Sequence, residues 1–286
     1  MTRDKIMGEL LDHLWGVAEE RSRAYPDEEF RLRGLWDLDI RFQPTPEERL
    51  FKYTTAIAQT RGQGCCYAPP DYSVSFDPEL FRKDARDIEF TDQFIEIAVL
   101  DAIYASFDYS AAKTYELRGD PTEKSRQRTD ILLQEIQKSV EGIEDPSLLN
   151  IGVLGNVISE LAATDITTYA TDMDPEILGT EVHGVTIEEP TKNGDRLANV
   201  DTALVTGMTL ATESLGAIIE RANKYDTDLI LFAETGSNFA KEYCSLGVDV
   251  VVREPFPFYI FQGVSEIEVL YPEVGQEKKE WQRISQ

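Results

Sequence analysis

Histidine is almost missing from this 286-residue chain, with two copies, and cysteine is scarce, with three. Neither His13 nor His183 has a second His or Cys at ligand spacing, so a zinc site of the usual kind is not expected. An odd, small cysteine count gives no disulfide framework and predicts reduced thiols. Basic residues are outnumbered: 28 Lys+Arg against 53 Asp+Glu leave a net charge of -25, spread along the whole length. That balance opposes binding to nucleic acid and to anionic membranes. No run of 18 uncharged apolar residues occurs, so no membrane span is expected. The opening residues MTRDKIMGELLDHLW lack the basic region and apolar block of a secretion signal, and a cytoplasmic protein is the expectation.

Missing motifs narrow the chemistry further. There is no GxxxxGK[ST] sequence to cradle phosphates and no GxSxG elbow, and two histidines leave few bases for a Ser or Cys nucleophile. The dinucleotide fingerprint is incomplete: Gly152-Val153-Leu154-Gly155 has its glycines three apart, with no third glycine to open the helix.

What is present is enough apolar material, 42% of residues, for a substantial core, and a length that suits two domains at ~150 residues each. Residues 3–23 place Ile6, Leu10, Leu14 and Ala18 at four-residue spacing, the pattern of an amphipathic helix. Residues 30–42 alternate apolar and charged, and 50–59 follow a turn-like QPTPEE, so two or three strands precede Gly62. Residues 88–107 read as a helix apolar on most sides, hence buried. Asp120-Pro121-Thr122-Glu123 supplies an N-cap, a helix-opening proline and a capping-box Glu for a helix with Ile131, Leu132, Ile136 and Val140 inward. The end of that helix near Gly142, followed by Asp145-Pro146, suggests a boundary.

Beyond it, LLNIGVL, ITTYAT, TALVT, LILFA and VDVVV read as strands, with helices at 209–225 and 237–246. Short continuous Val, Ile and Leu runs separated by helices are what a parallel sheet covered on both faces requires. The fold class expected is therefore α/β: an α+β domain over 1–145 followed by a Rossmann-like parallel-sheet domain over 146–286.

In such sheets ligands bind beyond the carboxyl ends of the strands. The loops there carry Gly155-Asn156, Asp172-Met173-Asp174, Thr206-Gly207-Met208-Thr209, Glu234-Thr235-Gly236 and Arg253-Glu254. Gly207 and Gly236 would let backbone approach a ligand, or simply make tight turns. Asp172 follows the second strand where a ribose-binding acid sits, yet about ten acid-x-acid pairs arise by chance at this acidity, so Asp172 and Asp174 read first as a solvated loop, with a ligand-binding role as the alternative. Cys65-Cys66 lies in a glycine-bearing turn, and Cys244 reads as core. Phe256, Phe258, Tyr259 and Phe261, at the start of a helical segment, suit core packing or a dimer face.

In order and spacing, NIGVLGNV, TDMDPEILG, DTALVTGMTLATESLGAIIERAN and LILFAETGSNFAKEYCSLGVDVVVREPFPFYIFQG resemble a two-domain family of heavy-metal chelation proteins. In that family an enolase-N-terminal-like domain precedes a Rossmann-like domain. TRGQGCCYAPP and FIEIAVLDAIYASF carry a fainter likeness in the first domain, where the family's Asn position reads Asp101. The family's threonine loop continues Asn-Gly-Thr where this chain has Thr212-Glu213-Ser214, and its later Gly-Pro turn is replaced by Ala233-Glu234-Thr235-Gly236. The resemblance implies a cleft between the domains that takes a divalent or heavy metal ion, or a metal-bearing small molecule. Gly155, Asn156, Asp172, Thr206, Gly207, Thr209, Thr212, Thr235 and Gly236 would line it, and Glu213 and Glu234, with Asp172, would offer hard carboxylate ligands. A second reading is a transferase using S-adenosylmethionine or a nucleotide in the same crevice, with Asp172 on the ribose; a third is a homo-oligomer joined through the aromatic C-terminal segment.

Acidity dispersed in this way suits a surface that stays soluble where the Debye length falls to ~3 Å at 1 M salt, so a halophilic protein is expected, an ordinary acidic cytosolic protein being the competing reading. On the halophilic reading the denaturation midpoint rises with KCl into the molar range; a midpoint highest in dilute buffer contradicts it.

Overall fold

The computed structural model describes residues 3–26, 30–43, 50–69, 72–73, 77–107, 110–111, 113–255, 260–261 and 263–273. The chain opens with α1 (Arg3–Ser22), whose Leu10, Leu14 and Ala18 are buried as the four-residue spacing predicts; Ile6 lies outside the residues whose side chains are described. A three-stranded antiparallel sheet follows: β1 (Gly34–Phe42), β2 (Phe51–Gln59) and β3 (Gln63–Ala68), in that spatial order. β3 is a strand where the sequence suggested only a glycine-bearing turn, and it carries both Cys65 and Cys66. Under the sheet lies α2 (Gln93–Tyr104), opened by Asp92, which accepts from the N–H groups of Phe94 and Ile95. It is apolar on most sides and buried along most of its length.

The second sheet has nine strands. Its chain order is β4 (Lys113–Leu117), α3 (Pro121–Ser139), β5 (Ser147–Ile151), α4 (Gly155–Leu161), β6 (Thr167–Thr171), β7 (Glu181–Val182), β8 (Val185–Glu188), α5 (Asn193–Leu197) and β9 (Thr202–Thr206). Then come α6 (Met208–Ala211), α7 (Leu215–Tyr225), β10 (Asp228–Ala233), α8 (Ala240–Ser245), β11 (Val250–Arg253) and β12 (Ser265–Leu270). The spatial order is β4-β12-β11-β10-β9-β5-β6-β8-β7. β8, β6, β5, β9, β10 and β11 run parallel, and β12, β4 and β7 pair antiparallel at the margins. Numbering the six parallel strands in chain order gives 3-2-1-4-5-6, the order of the doubly wound Rossmann fold.

Alternation along the strands sorts the core into two layers. Leu148, Leu204, Ile230, Phe232 and Val252 pack against Ile131, Leu132 and Ile136 of α3 and Val157 and Leu161 of α4. Leu149, Ile151, Val205, Leu229 and Leu231 face α7 and join the core under the small sheet, so both sheets share one continuous apolar body. Among the described residues no helix is long and apolar enough to cross a membrane.

Several expectations need correction. β4 pairs with β12, and α3, with its capping box and leading proline as predicted, packs on the large sheet. The turn signals at Gly142 and Asp145-Pro146 lie between α3 and β5. The helix expected over 209–225 breaks into α6 and α7, and no helix occupies 265–270, which is β12. Phe256, Phe258 and Tyr259 lie outside the described residues; Phe261 is exposed.

One buried carboxylate joins the two sheets. Asp101 of α2, 1% exposed, accepts from the Cys65 N–H at 2.9 Å through Oδ2 and from the Asn238 N–H at 2.8 Å through Oδ1. The Asn238 amide returns bonds to the carbonyls of Asp101 and Gln63, and Arg253 donates to its Oδ1 at 2.9 Å. Burial pushes the Asp101 pKa up to about 7 although those amides and Arg253 pull the other way. The unfolded chain releases this proton near pH ~3.9, so the folded state binds more protons in between and stability falls as pH rises from about 4 to about 7. Urea midpoints of the wild type are expected to fall with pH over that window more steeply than those of Asp101→Asn, by up to one proton, about 1.4 kcal/mol per pH unit. Parallel slopes for the two proteins would contradict this.

Candidate functional site

In the 3-2-1-4-5-6 order the chain leaves β5 toward one side of the sheet and β9 toward the other, so the loops at their carboxyl ends part and open a crevice. The first wall is built by side chains bonding to backbone. Asn150, buried inside β5, donates to the carbonyls of Gly152 (2.9 Å) and Leu204 (3.3 Å) and accepts from the Leu154 N–H at 2.9 Å. Gly152 has φ 80°, and a Cβ there would stand 2.2 Å from Thr206 Oγ1, so only glycine lets the two strand-end loops meet. Asp172, at the end of β6, accepts from the Val153 N–H (2.8 Å) and the Asp174 N–H (2.9 Å). It is therefore a positioned carboxylate and not merely part of a solvated loop.

The second wall is the break between α6 and α7. Thr209 donates to the Thr206 carbonyl at 2.7 Å, and the Ser214 N–H returns to the Thr209 carbonyl at 2.9 Å. The turn this closes puts Glu213 at φ 62°, left-handed backbone that costs a non-glycine residue roughly 1–2 kcal/mol. The family that the sequence resembles carries glycine at this position. From the next helix Arg221 reaches in, its Nε bonded to the Gly194 carbonyl at 2.9 Å and its guanidinium 4.9 Å from the Tyr225 ring centre.

Between these walls lies a cavity of about 560 Å³. Asp172, Glu213 and Arg221 are its charged residues; Thr171, Asn193, Thr206, Thr209, Thr212 and Ser214 add hydrogen-bonding groups; Ile151, Met173, Leu197, Met208 and Ile218 form an apolar lining. One guanidinium, two carboxylates and an apolar body suit an organic molecule with polar ends.

Five of the residues proposed from sequence are brought together here: Asp172, Thr206, Thr209, Thr212 and Glu213. The others stand elsewhere. Asn156 of α4 donates to Ser125 of α3, on the opposite face of the sheet, and Gly155 opens the same helix. Gly207 packs on backbone, since a Cβ there would come within 2.7 Å of the Thr235 carbonyl. Thr235 and Gly236 belong to the joint between the sheets: Thr235 Oγ1 accepts from the Tyr67 N–H at 2.9 Å, and the Gly236 N–H donates to the Cys65 carbonyl. Glu234 pairs with Arg128 of α3 at 3.4 Å, and the same guanidinium lies 3.3 Å from Glu254. Burial raises the Glu234 pKa despite Arg128. Glu213 and Glu234 thus have separate surroundings, and among the described residues no three His, Cys, Asp or Glu side chains converge as a metal site. Cys65 donates from Sγ to the Glu234 carbonyl, and burial, reinforced by Asp101, raises the Cys66 thiol far above its ordinary pKa.

Sequence reasoning missed Gly152, Asn193 and Arg221 as site residues. Arg221 left little signal, since it stands at the flank of the apolar stripe of α7, where a charge is ordinary.

No protein-family model and no curated protein matches the sequence. Among the solved structures that match, two proteins show the shared fold over nearly the whole chain. A protein of unknown function from the DUF364 family of Pyrococcus horikoshii aligns with a TM-score of 0.58 and 12% identity, covering 92% of this chain and 99% of its own. A second DUF364 protein of unknown function, from Desulfitobacterium hafniense, gives a TM-score of 0.54 and 11% identity over 90% and 98% of the two chains.

The strain at Glu213 yields a direct expectation. Glu213→Gly relieves the left-handed backbone but loosens the unfolded chain, so the melting temperature is expected to hold or rise. A drop of several degrees would show that the Glu213 side chain stabilises the turn instead.

Proposed function

We propose that the protein binds a small organic ligand of the nucleoside type in the crevice between the loops after β5 and β9. Asp172 accepts from ribose hydroxyls, and Arg221 pairs with an acidic group at the other end of the molecule. The observation that carries this reading is the placement of Asp172: it ends the second parallel strand, bonded to the loop that begins at Gly152, where doubly wound folds hold a ribose. Its two amide bonds leave lone pairs for hydroxyl donors. S-adenosylmethionine and nucleotides both carry a ribose and an acidic group, so a transferase of either kind would use the same two anchors.

Heavy-metal chelation has less support. Asp172 and Glu213 are the carboxylates lining the crevice, and Glu234 is engaged with Arg128 on the far side. Two donors are fewer than a hard cation takes from a dedicated protein cage.

The test is a thermal-shift and calorimetric screen of S-adenosylmethionine, S-adenosylhomocysteine and adenine nucleotides beside divalent metals. A nucleoside-bearing compound at 100 times its Kd should stabilise the protein by ~2.7 kcal/mol. Arg221→Gln should weaken its binding roughly tenfold or more, as loss of a charged hydrogen bond costs ~1.5–3 kcal/mol, while leaving neutral nucleosides unaffected. Stabilisation by metals alone, abolished in Glu213→Gln, would overturn the organic-ligand reading in favour of chelation.

A further inference from the structure

β1 is the outer strand of the small sheet, with no strand beyond it among the described residues. Nine residues of edge leave alternate N–H and C=O groups for another chain to pair with, a liability that proteins usually blunt. On one face of β1 Leu35 is buried with Ala56, Ala58 and Cys66 above α2, and beyond it Asp37, Asp39 and Arg41 are exposed. The other face carries Trp36, Leu38, Ile40 and Phe42, and none of the four is buried. Trp36 is 45% exposed and Phe42 44%. Ile57 and Tyr53 stand opposite Trp36 and Ile40 on β2 and extend the apolar stripe. An open aromatic and aliphatic face on a chain with a net charge of -25 marks an interaction surface.

The sequence of the edge says what pairs with it. Across an antiparallel ladder, directly opposed residues share a face, so a second copy of β1 must meet the first in a register that keeps the apolar stripes together. With Asp39 opposite its own copy, Trp36 meets Phe42, Leu38 meets Ile40 and Asp37 meets Arg41, each pair occurring twice. Sliding two residues one way sets Asp37 against Asp39 twice. Sliding two the other way leaves Trp36 without a partner. The like-charged Asp39 pair on the axis is eased because each carboxylate accepts from the Thr54 hydroxyl at 2.7 Å. We infer that β1 is a homodimer edge: two copies join antiparallel through residues 36–42 into one six-stranded sheet with a continuous apolar face.

Sedimentation velocity on the full chain tests this, in dilute buffer and in molar KCl, where screening relieves repulsion between two acidic protomers. A dimer is expected, tighter in salt. Asp37→Arg and Arg41→Asp should each weaken it at least tenfold, and the double variant, which restores an opposite-charge pair, should recover most of the loss. Trp36→Lys, checked for folding by circular dichroism, should dissociate it as well. A monomer in both buffers, a dimer indifferent to the single changes, or single-variant losses that the double variant does not repair would each overturn the inference.

Discussion

The Asp101 carboxylate, shut away from solvent between two backbone N–H groups, is the contact on which the relation of the two sheets depends. One amide belongs to Cys65 of β3 and the other to Asn238, in the turn after β10, so a single side chain fixes the small sheet against the carboxyl end of the large one. Thr235, bonded to Tyr67, and Arg253, bonded to Asn238, complete a buried polar seam. A seam of this kind is costly to bury and costly to break, which gives it directional specificity that the apolar contacts around it lack. Tyr104 and Phe239 meet edge to face beside it, so the shared apolar core and the polar joint reinforce one another.

With that joint closed, the strand-end loops divide into two groups. Those after β10 and β11 are occupied by protein: Glu234 and Glu254 surround Arg128, and Thr235 and Gly236 hold the small sheet. Those after β5, β6 and β9 stay open around the cavity, and their polar groups are held by local bonds, such as Asn150 to the Gly152 carbonyl and Asp172 to the Val153 amide, that fix geometry without filling the space. The strained Glu213 belongs to the open group, and backbone strain at a cavity wall is a common mark of a site whose side chain is used.

Much of this was legible in the sequence, and the limits have physical causes. The five apolar strands of the second domain and the capping box of α3 were visible because continuous Val, Ile and Leu runs and the Asp-Pro-Thr-Glu cap are local signals. β4 and β12 were not, since marginal strands gain their stability from partners distant in sequence; β7 and β8, of two and four residues, are too short to leave a pattern. Gly142 and Asp145-Pro146 announce a turn, and a turn between a helix and a strand of one layer reads the same as one between domains. Strand-end position pointed to Asp172, Thr206 and Thr209, and the resemblance to Thr212 and Glu213, all of which line one cavity; neither signal could tell an open loop from one filled by protein, which is why Glu234, Thr235 and Gly236 were grouped with them. The resemblance marked Glu213 as a departure from glycine; the positive φ supplies the reason that glycine suits that turn.

The central claim is that the crevice beside Asp172 and Arg221 holds an organic ligand. Native mass spectrometry coupled to elemental analysis, on protein purified without a metal-affinity tag, addresses it without naming the ligand in advance. The account predicts a nucleoside-sized organic adduct that is lost from Arg221→Gln with no accompanying stoichiometric metal. A stoichiometric metal with no organic mass, retained in that variant, would contradict it.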